Sequence, residues 1–172
     1  MVALMFGAAL AAGIPEWEGD YLRQQGLAKL GTRSSQAGAG LVAAAVVLIV
    51  LVDDTEVVLA AAAPFYTLGS ISMIGGNTSG SLFAWRAARS LQAGGIDVST
   101  VPAKVGLAGV GVFYATALLM PVLSDSDVRF GVIAVPAYGG LATMYAGSIW
   151  QVRTNKRAYD LHVGPTQVSA RW

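Results

Sequence analysis

Four apolar stretches in this chain contain no aspartate, glutamate, lysine, arginine or histidine: 37–52, 57–76, 105–123 and 130–150. They are 16, 20, 19 and 21 residues long. A helix crossing the hydrocarbon core of a bilayer needs about 20 residues, within a range of roughly 17–25. The first stretch is slightly short and borrows Ser34, Ser35 and Gln36 at its start. Valine and isoleucine runs such as 46–52 would favour strands in water. In lipid, every backbone N–H and C=O must be satisfied within its own segment, and that selects helix. The expected fold class is therefore all-α: a polytopic membrane protein with four transmembrane helices in two tandem hairpins, plus an N-terminal apolar or interfacial helix.

The few charges agree with this. Only 12% of the 172 residues are charged, against about 25% in an ordinary soluble domain. Mean hydropathy is +0.58. Ten of the eleven basic residues lie in three places: Arg23, Lys29 and Arg33 before the first stretch; Arg86, Arg89 and Lys104 between the second and third; and Arg153, Lys156, Arg157 and Arg171 after the fourth. The other two connections are short and acidic, holding Asp53, Asp54 and Glu56, and Asp125 and Asp127. The positive-inside rule then predicts an integral protein of a cell or virion membrane, with both termini and the middle loop cytoplasmic. The expected organisation is an N-terminal apolar and interfacial segment (1–36), a first hairpin (37–76), a cytoplasmic loop (77–104), a second hairpin (105–150) and a cytoplasmic tail (151–172).

The segments outside the hairpins divide further. Residues 1–14 are apolar but too short to span comfortably, and they lack the basic n-region of a signal peptide. Pro15 breaks the run. Residues 16–33 are polar but carry Trp17, Tyr21, Leu22, Leu27 and Leu30, which fits an interfacial helix or one packed on the bundle. The rival for this region is a fifth, short or re-entrant apolar helix. Residues 81–93 read as helix continuing the second span, with Gly94 and Gly95 to end it.

The two hairpins match each other at an offset of 72 residues. Ala43, Ala45, Val50, Leu51, Asp53, Ala62, Pro64, Tyr66 and Gly75 recur as Ala115, Ala117, Val122, Leu123, Asp125, Ala134, Pro136, Tyr138 and Gly147. This predicts a parallel repeat of a helix–acidic turn–helix unit, both copies entering from the cytoplasm.

The residue inventory excludes much chemistry. Without cysteine there is no disulfide, thiolate metal site or thiol nucleophile. The single histidine, His162, lies in the polar tail, so bis-histidine haem ligation within the chain is excluded. A net charge of +1 gives no global field for nucleic acid. No ionisable residue lies inside a span, which counts against proton-coupled transport. Pro64 and Pro136 each remove a helical hydrogen bond. With Tyr66 and Tyr138 they are candidates for a pore lining or for packing kinks. The outer acidic residues Asp53, Asp54, Glu56, Asp125 and Asp127 are candidates for a cation-attracting mouth, beside the simpler role of solvated helix caps. Glycines crowd the spans, and Gly76 and Gly80 have the GxxxG spacing.

The sequence thus points to a non-catalytic structural or accessory membrane subunit. The alternative is a small oligomeric channel or facilitator. Expected partners are membrane lipids and further copies or other membrane subunits, with no nucleic acid, cofactor, metal or catalytic residue. The excess of arginine over lysine, with abundant alanine, glycine and valine, suggests a high-GC prokaryotic genome.

The topology is testable because the chain is free of cysteine. Cysteines introduced as Asp54→Cys or Ser126→Cys should react with an impermeant maleimide from outside intact cells. Ser90→Cys and Ser169→Cys should react only after permeabilisation; the opposite labelling pattern would invert the predicted orientation.

Overall fold

The computed structural model describes residues 14–52, 55–124 and 130–164. They form four helices: α1 (Glu16–Leu51), α2 (Thr55–Ala93), α3 (Val101–Ser124) and α4 (Phe130–Val163), with no strand among the described residues. Each helix runs opposite to its chain neighbour. The bundle therefore has one polar end, holding the starts of α1 and α3 and the finishes of α2 and α4. Its other end is apolar.

Residues 16–33 pack on the bundle, the second of the two expected arrangements, and do not form a separate interfacial helix. They are the first half of α1, which continues unbroken into the first apolar stretch. The reason lies in the spacing of its buried residues: Glu18, Tyr21, Gln25, Ala28, Gly31, Ser35 and Gly38 recur every three or four positions, a single stripe along one face. The composition changes near Ala37, but the buried face does not. Pro15 starts the helix, its carbonyl accepting from the Glu18 and Gly19 N–H groups. Glu16 and Glu18 then place negative charge at the positive end of the helix dipole.

α2 likewise continues past its apolar stretch and ends where the two glycines stand. Gly95 adopts φ +78°, a conformation that costs glycine little. Its N–H bonds the Gln92 carbonyl, and the Ile96 N–H reaches back to Leu91, a Schellman closure. Leu91 and Ile96 are both buried in the same cluster, which completes the motif. α4 runs on through residues 151–163 before Gly164, at φ +80°, closes it on the Asp160 carbonyl.

α1, α2 and α4 contain 36, 39 and 34 residues, and α3 contains 24. At about 1.5 Å per residue the first three are roughly 50–60 Å long, well beyond a hydrocarbon core of about 30 Å. α3 is about 36 Å long by the same measure. The helices therefore extend the bundle at its polar end. Among the described residues, α1 and the segment Val101–Leu119 of α3 are long and apolar enough to cross a membrane.

Within each hairpin the two backbones touch. A Cβ on Gly38 would lie 2.5 Å from the Gly69 carbonyl oxygen and the Met73 nitrogen. One on Gly76 would lie 2.6 Å from the Gly31 oxygen and the Ser35 nitrogen. Seven residues further along α1, Ala45 packs in one cluster with Val58 and Ala62. Each step of seven along α1 is matched by a step of seven back along α2. In the second hairpin, a Cβ on Gly109 would lie 2.7 Å from the Gly140 oxygen and the Met144 nitrogen, and one on Gly147 would lie 2.5 Å from the Gly106 nitrogen.

These contacts shift the register between the hairpins. Gly38, Gly69, Met73 and Gly76 correspond in their contacts to Gly109, Gly140, Met144 and Gly147, each 71 residues on. Val42 and Phe113, which meet Gly69 and Gly140, keep the same offset. The offset of 72 pairs Gly75 with Gly147, yet Gly75 has open space around its Cβ direction and Gly147 has none. One residue turns a helix by about 100°, so Gly75 and Gly147, matched at 72, fall on different faces. At 71, Gly40 pairs with Gly111, and both face open space.

Gly38→Ala should destabilise the chain by about 1–3 kcal/mol, because the new methyl meets backbone that cannot yield. Gly40→Ala, with nothing in its way, should be neutral or stabilising by up to about 1 kcal/mol through helix propensity. Unfolding in mild detergent compares the two; equal effects would contradict the close approach.

Candidate functional site

The polar end joins the hairpins through three buried amide side chains. Gln25 on α1 donates to the Val152 carbonyl of α4 at 2.8 Å. Asn155 on α4 donates to the Ala84 carbonyl of α2 at 2.8 Å and to the Gln25 Oε1 at 3.5 Å. Gln151 donates to the Asn155 Oδ1 at 2.7 Å and to the Ser99 carbonyl in the α2–α3 loop at 2.8 Å. Its Oε1 accepts from the Ala103 N–H at 2.9 Å. That N–H is one of the donors a helix start leaves without an intrahelical partner, so Gln151 also caps α3. All four helices and the loop are thus held by one network, from residues that are 0% exposed. Ser81 adds a bond from α2 to the Met144 carbonyl.

An aromatic layer lies beyond the amides. Tyr21 and Tyr159 stack at 4.7 Å between ring centroids, and Tyr159 donates to Glu18. Trp17 covers Gly94, where a Cβ would lie 2.4 Å from the indole, and meets His162 edge-on. Around them Ala87, Ala88, Leu91, Ile96 and Val98 form an apolar cluster. The Tyr21 hydroxyl is buried with no hydrogen-bond partner among the described residues. Burial, and then the charge of Asp160, raise its pKa well above the ordinary tyrosine value.

The apolar end is built the other way round. Its seams hold glycine and alanine, and its large side chains point outward. Val50 is 74% exposed, Leu51 75%, Leu118 78% and Val135 72%. Among the residues singled out by sequence, Pro64 and Tyr66 are exposed on α2, and Tyr138 is exposed on α4. Pro136 is half-buried. The two tyrosines thus present themselves to the surroundings of the single chain. Glu56 lies exposed in the first turn of α2. Asp53, Asp54, Asp125 and Asp127 lie outside the described residues. No group of three His, Asp or Glu side chains suited to a metal ion occurs among the described residues.

Sequence reasoning missed Gln25, Gln151 and Asn155. The available signal was their position: three amides on helical stretches otherwise rich in charge, placed in step with the buried stripe. No family model, curated protein or solved structure matches the chain.

Asn155→Leu keeps the volume but leaves the Ala84 carbonyl and the Gln25 amide oxygen without their donor. It should cost at least about 2 kcal/mol in detergent unfolding. Tyr21→Phe removes a hydroxyl with no partner and should be neutral or stabilising at pH 7. In the wild type the unfolded chain can ionise Tyr21 above pH 10.0 while the folded chain resists. Stability contributed by this group is full below pH 10 and falls as the pH rises beyond it. Melting curves between pH 8 and 11 should show a shallower alkaline decline in Tyr21→Phe; parallel declines would remove Tyr21 as the cause.

Proposed function

We propose that this chain is a non-catalytic integral membrane protein whose four apolar stretches all cross the bilayer, and that it serves as a structural or accessory subunit of a membrane assembly. The observation that carries this reading is the reversal of packing along one bundle. At the polar end, aromatic and aliphatic residues such as Tyr21, Leu91 and Tyr159 are buried. At the apolar end, Val46, Val47, Ile49, Val50, Leu68, Leu118 and Leu119 are exposed. In water such a surface would drive aggregation. In lipid it meets a medium as apolar as itself, and close packing of small residues becomes the means of helix association. Only 17% of the most apolar part of α1 is buried, whereas the core helix of a soluble protein would be mostly covered.

The reading as a subunit rests on what the outward faces offer. The extended polar end gives a rigid surface outside the bilayer, and the apolar end presents broad helix faces to neighbours. A channel formed by several copies is the second reading. It is favoured by Tyr66 and Tyr138, whose polar-tipped rings are 51% and 64% exposed amid aliphatic surface.

Alkaline carbonate washing of native membranes should leave the chain in the pellet; its release would overturn the membrane reading. Native mass spectrometry in mild detergent should then give a discrete oligomer or a stoichiometric partner. A monodisperse monomer without partners would overturn the subunit reading. Ion flux through liposomes holding the purified chain, abolished by Tyr66→Phe with Tyr138→Phe, would select the channel.

A further inference from the structure

A groove of about 200 Å³ runs between α1 and α4, lined by Lys29, Thr32, Arg33 and Gln36 on one side and Ile149, Val152 and Arg153 on the other. Both its ends are tied. Towards the polar end, Gln25 bonds the Val152 carbonyl. Towards the apolar end, the Gln36 Nε2 donates to the Tyr145 hydroxyl at 2.9 Å. Between these ties the two helices stand apart, and three cations gather.

We propose that this groove is a binding site for the phosphate headgroup of an anionic phospholipid in the cytoplasmic leaflet. Its chemistry fits a phosphate. Arg33 and Arg153 approach from opposite walls, and neither forms an ion pair with a carboxylate among the described residues. Guanidinium groups match phosphate oxygens with paired N–H donors. Lys29 adds a third cation, and Thr32 and Gln36 add polar contacts. Nearby, Lys156 pairs with Asp160 at 2.6 Å. Burial, together with the charges of Lys156 and Arg33, lowers the pKa of Lys29 against the opposing pull of Asp160. A bound anion would relieve that repulsion.

Depth in the membrane distinguishes a lipid from a free anion. Arg33 lies four residues before the first charge-free stretch, and Arg153 three residues after the last. Both therefore stand at the level where headgroups lie if α1 and α4 cross the bilayer. Trp150, 58% exposed, lies at the same level, as interfacial tryptophans do. Ile149 and Val152 give the groove an apolar wall on which an acyl chain can start. Basic pockets between helices on the cytoplasmic side are recurrent sites for anionic headgroups.

The proposal rests on the membrane reading, and the experiment separates the two. The full chain is reconstituted into nanodiscs of phosphatidylcholine with a minor share of phosphatidylglycerol, and retained lipid is counted by native mass spectrometry. Wild type should keep one phosphatidylglycerol per chain in preference to phosphatidylcholine. Arg33→Gln with Arg153→Gln should lower that retention by about tenfold. Both side chains are exposed, so folding should be unaffected. Arg86→Gln with Arg89→Gln, which removes two exposed cations of α2 outside the groove, should retain the lipid as wild type does. Equal loss from both double variants would reduce the effect to general charge and overturn the site. Displacement of the lipid by millimolar inorganic phosphate would overturn the lipid assignment in favour of a soluble anion. Insertion into the bilayer without any preference for the anionic lipid would overturn this proposal alone, whereas failure to insert would overturn the membrane reading and the site together.

Discussion

Two helix backbones in contact leave no room for a side chain between them, and most of this molecule follows from that exclusion. At Gly38 against Gly69 and at Gly109 against Gly140, the seam is main chain facing main chain. Larger residues on these helices are pushed to the flanks. The outer faces of the apolar end then become aliphatic because every other position is available to them. The arrangement suits a solvent that supplies no hydrophobic drive for association, where dispersion between closely packed backbones has to suffice.

The polar end uses a different solution within the same helices. Here side chains do enter the interior, and the interior includes amides as well as rings. Each buried amide of the network has bonds to a main-chain group or to another amide. A satisfied network of this kind specifies one arrangement of the helices, because any sliding or rotation strands buried polar atoms. The glycine seams set how near the helices of a hairpin lie. The amides set how the hairpins stand against one another.

Much of the helical layout was legible in the sequence. Charge-free stretches located helical segments, and Gly94 and Gly95 correctly marked the end of α2. The fate of residues 16–33 was less legible, because average polarity left an interfacial helix and a bundle-packed one both open, whereas the three- and four-residue spacing of Tyr21, Gln25, Ala28 and Gly31 selects packing on the bundle. The hairpin register also slipped by one. Identity of Asp53 with Asp125 and of Pro64 with Pro136 drew the alignment to 72, while the contacts follow the glycines at 71. The groove between α1 and α4 could not be read at all, since Arg33 and Arg153 stand 120 positions apart and meet only through the antiparallel return of α4. The four aspartates of the outer turns lie outside the described residues.

The amide junction is electrically neutral. Gln25, Gln151 and Asn155 carry no charge, and most of their partners are peptide groups. Mobile ions screen attractions between charges, but they have little to screen here. The same side chains have no protons to gain or lose across the physiological range. The amide part of the coupling between the two hairpins is consequently little affected by salinity or by acidity, and it can hold one geometry in dilute medium and in brine.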